Sequence, residues 1–220
     1  ACHLQRLAGA HTIKTLRVLS RGQQMVRVDT ETTFVLDEGL RSILFQHYQA
    51  ALAYTDVVVL SDYGKGTLFE PAAWIMEARA RGIPVIVDPK SLCFSDYQGA
   101  RVVTPNLKEF EAVAGVSETV EQMVEKAEHL LARHALEAMI ITRSEQGLSV
   151  ISNHESVQHL QAIACEVHDV TGAGDTVIAV LSVALATGFR LIDAARLSNV
   201  GAGVEVSKLG AATVTVSEFE

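Results

Sequence analysis

Apolar and polar positions near the start of the chain alternate with period two. Residues 13–19 (IKTLRVL) and 25–30 (MVRVDT) flank an SRGQQ segment. β-branched residues in strict alternation around a glycine predict a β-hairpin with side chains on opposite faces. The period then lengthens. Over 37–53, apolar residues at 40, 43, 44, 51 and 52 predict an amphipathic helix. A continuous apolar run, DVVVL at 56–60, predicts a strand buried on both faces. Pro71 at a first turn and Gly82 just past the end bound a helix over 71–81. Short apolar runs at 85–87, 101–104 and 138–142 read as further strands, ending at DPK, PN and RSEQG. Helical periodicity covers 107–114, 120–134, 173–187 and 191–206, and 148–152 with 156–162 reads as an antiparallel excursion.

Strands that are apolar throughout, alternating with helices, predict an α/β fold in three layers, with a mostly parallel sheet covered on both faces. Ligands of such sheets bind beyond the carboxyl ends of the strands. The polar turns SDYGKG, DPK, TPN and TRSEQG all fall at that rim, so four strand ends point to one site. At 220 residues, with no repeat or low-complexity linker, residues 1–220 read as one domain carrying a small β hairpin at about 13–31.

Composition narrows the function. A net charge of −8 argues against a nucleic-acid partner, which demands clustered Lys and Arg, but leaves small phosphorylated substrates open. Cys2, Cys93 and Cys165 are far apart with no C-x-x-C, which fits a reducing cytoplasm better than a disulfide framework or a zinc site. The eight histidines show no metal-ligand spacing. The longest apolar stretch, 177–186, spans ten residues, the length of a buried core helix and not of a bilayer crossing. The chain starts without Met, so the expectation is an N-terminally incomplete domain.

The densest chemistry lies in HDVTGAGDTV, 168–177. Gly172-Ala173-Gly174 ahead of a helix leaves backbone N–H groups open to an anion, and the helix N-terminus adds positive partial charge. Asp175, in the first helical turn, stands where a carboxylate can take the proton of a hydroxyl attacking a phosphoryl group. By itself G-x-G-D is also an ordinary acidic first turn, and it is neither a Walker A loop nor a G-x-G-x-x-G motif. In TPNLKEF, Asn106 and Glu109 have the spacing of a capping box as well as of a sparse magnesium site.

The octet DVTGAGDT, 169–176, resembles the carboxy-terminal signature of the ribokinase-like (PfkB) carbohydrate kinases. The resemblance implies a ribokinase-like fold and ATP-dependent phosphorylation, with Asp175 as catalytic base and Gly172, Ala173 and Gly174 as the anion hole. It implies Mg²⁺ organised by Asn106 and Glu109, and a monovalent cation, K⁺, beside Asp169 and Thr171. Thr142, Ser144, Glu145 and Gly147 would contact the nucleotide with Asn106, and Asn199 the adenine. SRGQQMVRVDTE, LSDYGKGTL, VDPK, TPNLKEFEAV, ITRSEQG and SKLGAATV, in that order, are similar to the branch of the family that phosphorylates D-glycero-D-manno-heptose 7-phosphate at its anomeric hydroxyl. That likeness implies a sugar-phosphate site at Asp62, Lys65, Asp88, Lys90 and Arg21, and a homodimer through the hairpin acting as a lid. It involves neither nucleic acid nor membrane. The family's early G-G-x-x-N turn has no counterpart here. Other acceptors (ribose, adenosine, a fructose phosphate) and a non-catalytic nucleotide-binding module are the alternatives.

Overall fold

Six strands form the central sheet in the order in which they follow along the chain, and a separate two-stranded sheet precedes them. The computed structural model describes residues 2–5, 7, 11–20, 23–31, 35–163, 167, 169–208, 210 and 212–219, with the side chains of 19, 23 and 24 excepted. Arg21 therefore lies outside the described residues.

The hairpin comprises β1 (Lys14–Ser20) and β2 (Gln23–Thr30), antiparallel as their alternation predicts. Leu16 faces Val28 across it and Val18 faces Val26. All four are exposed, so the apolar face of the hairpin is bare in the single chain. Helix α1 (Glu38–Ala51) starts at Asp37, whose carboxylate accepts from the Leu40 N–H at 2.8 Å.

From β3 (Val58–Ser61) the chain alternates as expected through α2 (Pro71–Ala80), β4 (Val85–Asp88), β5 (Val102–Val103), α3 (Leu107–Ala114), α4 (Val120–Arg133) and β6 (Ala138–Thr142). Strands β3 to β6 are mutually parallel. Strands β7 (Leu148–Ser152) and β8 (Gln158–Leu160) return antiparallel, followed by α5 (Ala173–Ala186) and α6 (Leu191–Val206).

The continuous apolar runs have a simple cause: both sheet faces are covered. Val85, Val87, Val103, Met139 and Ile141 point into a core under α2, α3 and α4. Their neighbours Ile86, Val102 and Ile140 point into a second core under α5 and α6. Each such buried branched side chain contributes about 1.5–3 kcal/mol. Gly201 lets α6 close on α5, since a Cβ there would stand 3.1 Å from Val180 and 3.5 Å from Thr176. This packing seats the first turn of α5 beside the sheet rim.

One element has no periodic signal in the sequence. Phe94–Tyr97 forms a single 3-10 turn between β4 and β5, fixed because Phe94 and Tyr97 are both fully buried. No helix among the described residues is long and apolar enough to cross a membrane.

Candidate active site

Parallel β3, β4, β5 and β6 end on the same edge, and the first turn of α5 lies across it. The chain enters α5 through Gly172, at φ 105°, a left-handed conformation that favours glycine. Two cavities meet at this turn. One, of about 240 Å³, is lined by Tyr63, Asp88, Lys90, Asn106, Glu109 and Asp175, with Gly172 at its wall. The other, of about 420 Å³, is mostly apolar and holds Ser144, Glu145, Gly147, Ala173 and Asn199. Thr142, Gly174 and Val177 line both, so the turn is the partition between them.

The smaller cavity is crowded with negative charge. Burial, then the charges of Glu109 and Asp175, push the Asp88 carboxyl up to about 6, against a partial offset from Lys90. Lys90 donates to Glu109 Oε1 at 2.6 Å. Glu109 Oε2 accepts from the Asn106 N–H at 3.0 Å, while Asn106 Oδ1 accepts from the Glu109 N–H at 2.9 Å. The capping-box reading of this pair is therefore real, and it also brings the Glu109 carboxylate to the cavity wall.

In the larger cavity, Gly147 is required by a close approach. A Cβ there would lie 2.0 Å from the Leu160 carbonyl oxygen, and φ is 80°. Ser144 also has a positive φ, 52°, in the 3-10 turn Ser144–Gln146. Asn199 is buried and its Nδ2 donates to the Gln161 carbonyl at 2.8 Å, so it pins the cavity wall and is no solvated helix residue.

Asp169 and Thr171 line neither cavity. Asp169 Oδ1 accepts from the Thr171 N–H at 2.9 Å. Hydrogen bonding to Thr171 holds the Asp169 carboxyl below its ordinary range. Glu205, fully buried on α6, has no hydrogen-bond partner for either oxygen among the described residues. Burial pushes its carboxyl up; the Ala212 N–H, near it but outside hydrogen-bonding geometry, and Lys208 offset part of this, while the charges of Asp169 and Asp175 push it further up.

Two expected sugar ligands are placed differently. Asp62 is buried and turned inward: Oδ1 accepts from the Gly64 N–H at 2.7 Å and Oδ2 from the Tyr97 hydroxyl at 2.6 Å. Lys65 is ion-paired with Glu31, just beyond β2, and does not line the cavity. The SDYGKG turn presents Tyr63 instead, whose hydroxyl donates to Asp175 Oδ1 at 3.3 Å. Tyr63, between Asp62 and Gly64, and Tyr97, between Asp96 and Gln98, were not legible as site residues, since neither stands in a pattern with a spacing signal.

The family described as pfkB family carbohydrate kinase matches residues 3–218. The Bifunctional protein HldE of Coxiella burnetii (strain Dugway 5J108-111) is 49% identical over 220 residues, covering 99% of this chain and 46% of that protein. Its namesake in Aeromonas hydrophila is 48% identical over 219 residues, again 46% of that protein. The chain thus spans about half the length of the curated relatives it matches. Among solved structures, Escherichia coli phosphofructokinase-2 in complex with potassium superposes with a TM-score of 0.74 at 18% identity, over 88% of this chain and 64% of that one. Arabidopsis thaliana ribokinase complexed with ribose and ATP gives 0.67 at 19% identity, over 87% and 61%. These two likenesses carry the fold, which is ribokinase-like. By the match along nearly its whole length, the chain belongs to the pfkB family of carbohydrate kinases.

Proposed function

We propose that this chain is the kinase part of an enzyme that transfers the γ-phosphoryl of ATP to the anomeric hydroxyl of D-glycero-D-manno-heptose 7-phosphate. The observation that carries the reading is Asp175 at the N-terminus of α5, on the partition between two cavities. ATP extends through the larger cavity, with the adenine toward Asn199 and the phosphates toward Gly174. The sugar lies in the smaller one, against Asp88 and Lys90. Asp175 accepts the proton of the attacking hydroxyl, a role worth about 10²–10⁴ in rate. The amides of Gly172 to Gly174, with the helix terminus behind them, stabilise the charge that develops on the phosphoryl oxygens. The choice of a heptose rests on near-half identity to proteins named HldE, along essentially the full chain.

A divalent cation fits the smaller cavity as an ion carried in with phosphates: among the described residues no three carboxylates, thiols or imidazoles converge to hold one by themselves. Asp88, Glu109 and Asp175 share the cavity with one ammonium, and burial, then the charges of Glu109 and Asp175, hold Asp88 high. Asp88 and the Asn106–Glu109 pair would hold Mg²⁺, largely through water and phosphate oxygens. Bound there, Mg²⁺ supplies charge neutralisation to the phosphates. A monovalent cation, K⁺, fits the Asp169–Thr171 turn, where Asp169 stays ionised and the buried Glu205 carboxyl lies within electrostatic range.

The bare apolar face of the hairpin supports a homodimer in which two lids pack together; sedimentation of the wild type and a Val18→Lys/Val28→Lys variant tests it. The activity is tested with the full-length protein and a panel of sugar phosphates, heptose 7-phosphate included. The wild type is expected to prefer the heptose, and Asp175→Asn to lose at least about 10²-fold in kcat. Equal turnover by Asp175→Asn refutes the mechanism, and preference for another sugar refutes the substrate.

A further inference from the structure

The turn after β3 is held at both ends. At its start, Asp62 is locked to the Gly64 amide and the Tyr97 hydroxyl. The same hydroxyl accepts from the Lys90 N–H at 3.0 Å and the Ser91 N–H at 2.8 Å, so one buried phenol ties the turns after β3 and β4 together. Further along, Lys65 is paired with Glu31 at the foot of the hairpin. Tyr63 projects between these anchors. Its ring is more than half exposed, and its hydroxyl makes a contact 112 residues away in sequence, with Asp175.

A carboxylate has two oxygens and rotates freely unless one is held. The charged groups around Asp175 supply no hydrogen bond to it: Asp88 at the end of β4, Lys90 beyond it and Glu109 on α3 share its cavity, and Asp88 and Glu205 on α6 are coupled to its charge by repulsion. Tyr63 is the side-chain donor that Asp175 has among the described residues. We propose that Tyr63 is a positioning residue for Asp175, its hydroxyl holding Oδ1 so that Oδ2 is presented to the acceptor hydroxyl. The proposal rests on the reading of Asp175 as the base. It also gives the hairpin a route to the chemistry, because Lys65, paired with Glu31 at the foot of the hairpin, and Tyr63 belong to one short turn.

The test is Tyr63→Phe in the full-length protein, a change that leaves the exposed ring in place. Losing one charge-assisted hydrogen bond should lower kcat about tenfold and leave the KM for ATP unchanged. A fall in kcat with the KM for ATP and for the sugar both unchanged is a split that a merely structural contact would not cause. An unchanged kcat overturns the proposal; so does a rise in the KM for the sugar alone, which makes Tyr63 a substrate contact. A second readout is independent of turnover: the ¹³C carboxyl resonance of Asp175, identified by its absence in Asp175→Asn, should move in Tyr63→Phe. If it stays, the proposal falls whatever the acceptor. If it moves while the wild type phosphorylates no sugar, the positioning stands and only the proposed function falls.

Discussion

Gly174 offers a substitution whose effects on stability and on activity are expected to have opposite signs. It is the second residue of α5, and a Cβ built on it meets no protein atom within 4 Å. Its φ lies outside the left-handed range, unlike that of Gly172. Alanine therefore costs the fold nothing and removes the conformational freedom that glycine gives the unfolded chain, a gain of about 0.5–1 kcal/mol. For a chain of this size that raises Tm by roughly 1–4 °C. The open space around that Cβ is, however, the partition between the two cavities. In the proposed mechanism the transferring phosphoryl occupies it, against the Gly174 amide. A methyl group there pushes the phosphoryl off by about an ångström and so weakens the amide contacts, a displacement worth about 10²-fold in rate. Thermal unfolding and steady-state phosphoryl transfer, measured on Gly174→Ala, should show an equal or higher Tm with kcat reduced about 100-fold. The reasoning is refuted by a kcat within about twofold of wild type, since the phosphoryl then passes elsewhere. It is equally refuted by a large fall in Tm.

Other substitutions probe the groups around the turn. Asp88, raised to about 6 from an ordinary 3.8, binds a proton more tightly folded than unfolded. Its contribution is complete below pH 3.8 and is lost as pH rises through about 6. The Tm of Asp88→Asn minus that of wild type should therefore grow between pH 4 and pH 6 and level off above; a flat difference in calorimetry contradicts the burial of this carboxyl beside Glu109 and Asp175. Tyr97→Phe strands a buried Asp62 oxygen and the amides of Lys90 and Ser91. It should cost about 2–3 kcal/mol by denaturant unfolding and also lower kcat by loosening the turn that carries Tyr63. Stability unchanged within about 0.5 kcal/mol would show that water replaces the phenol.

The fold was legible because its signals are local and redundant. Helices α3 and α6 and strands β6 and β7 begin and end where their apolar periods and caps do. The turn into α5 was legible for the same reason, since its glycines, the helix start and Asp175 are neighbours in sequence. The acceptor side was not. Asp62 and Lys65 look like site residues because they are polar and sit at a strand end, but the partners that decide their roles, Tyr97 and Glu31, come from distant segments. A buried aspartate costs several kcal/mol unless donors meet it, so once Tyr97 and the Gly64 amide surround Asp62 it is committed to holding the turn. The side chain that turn then offers the cavity is Tyr63, and only the folded chain brings its hydroxyl to Asp175.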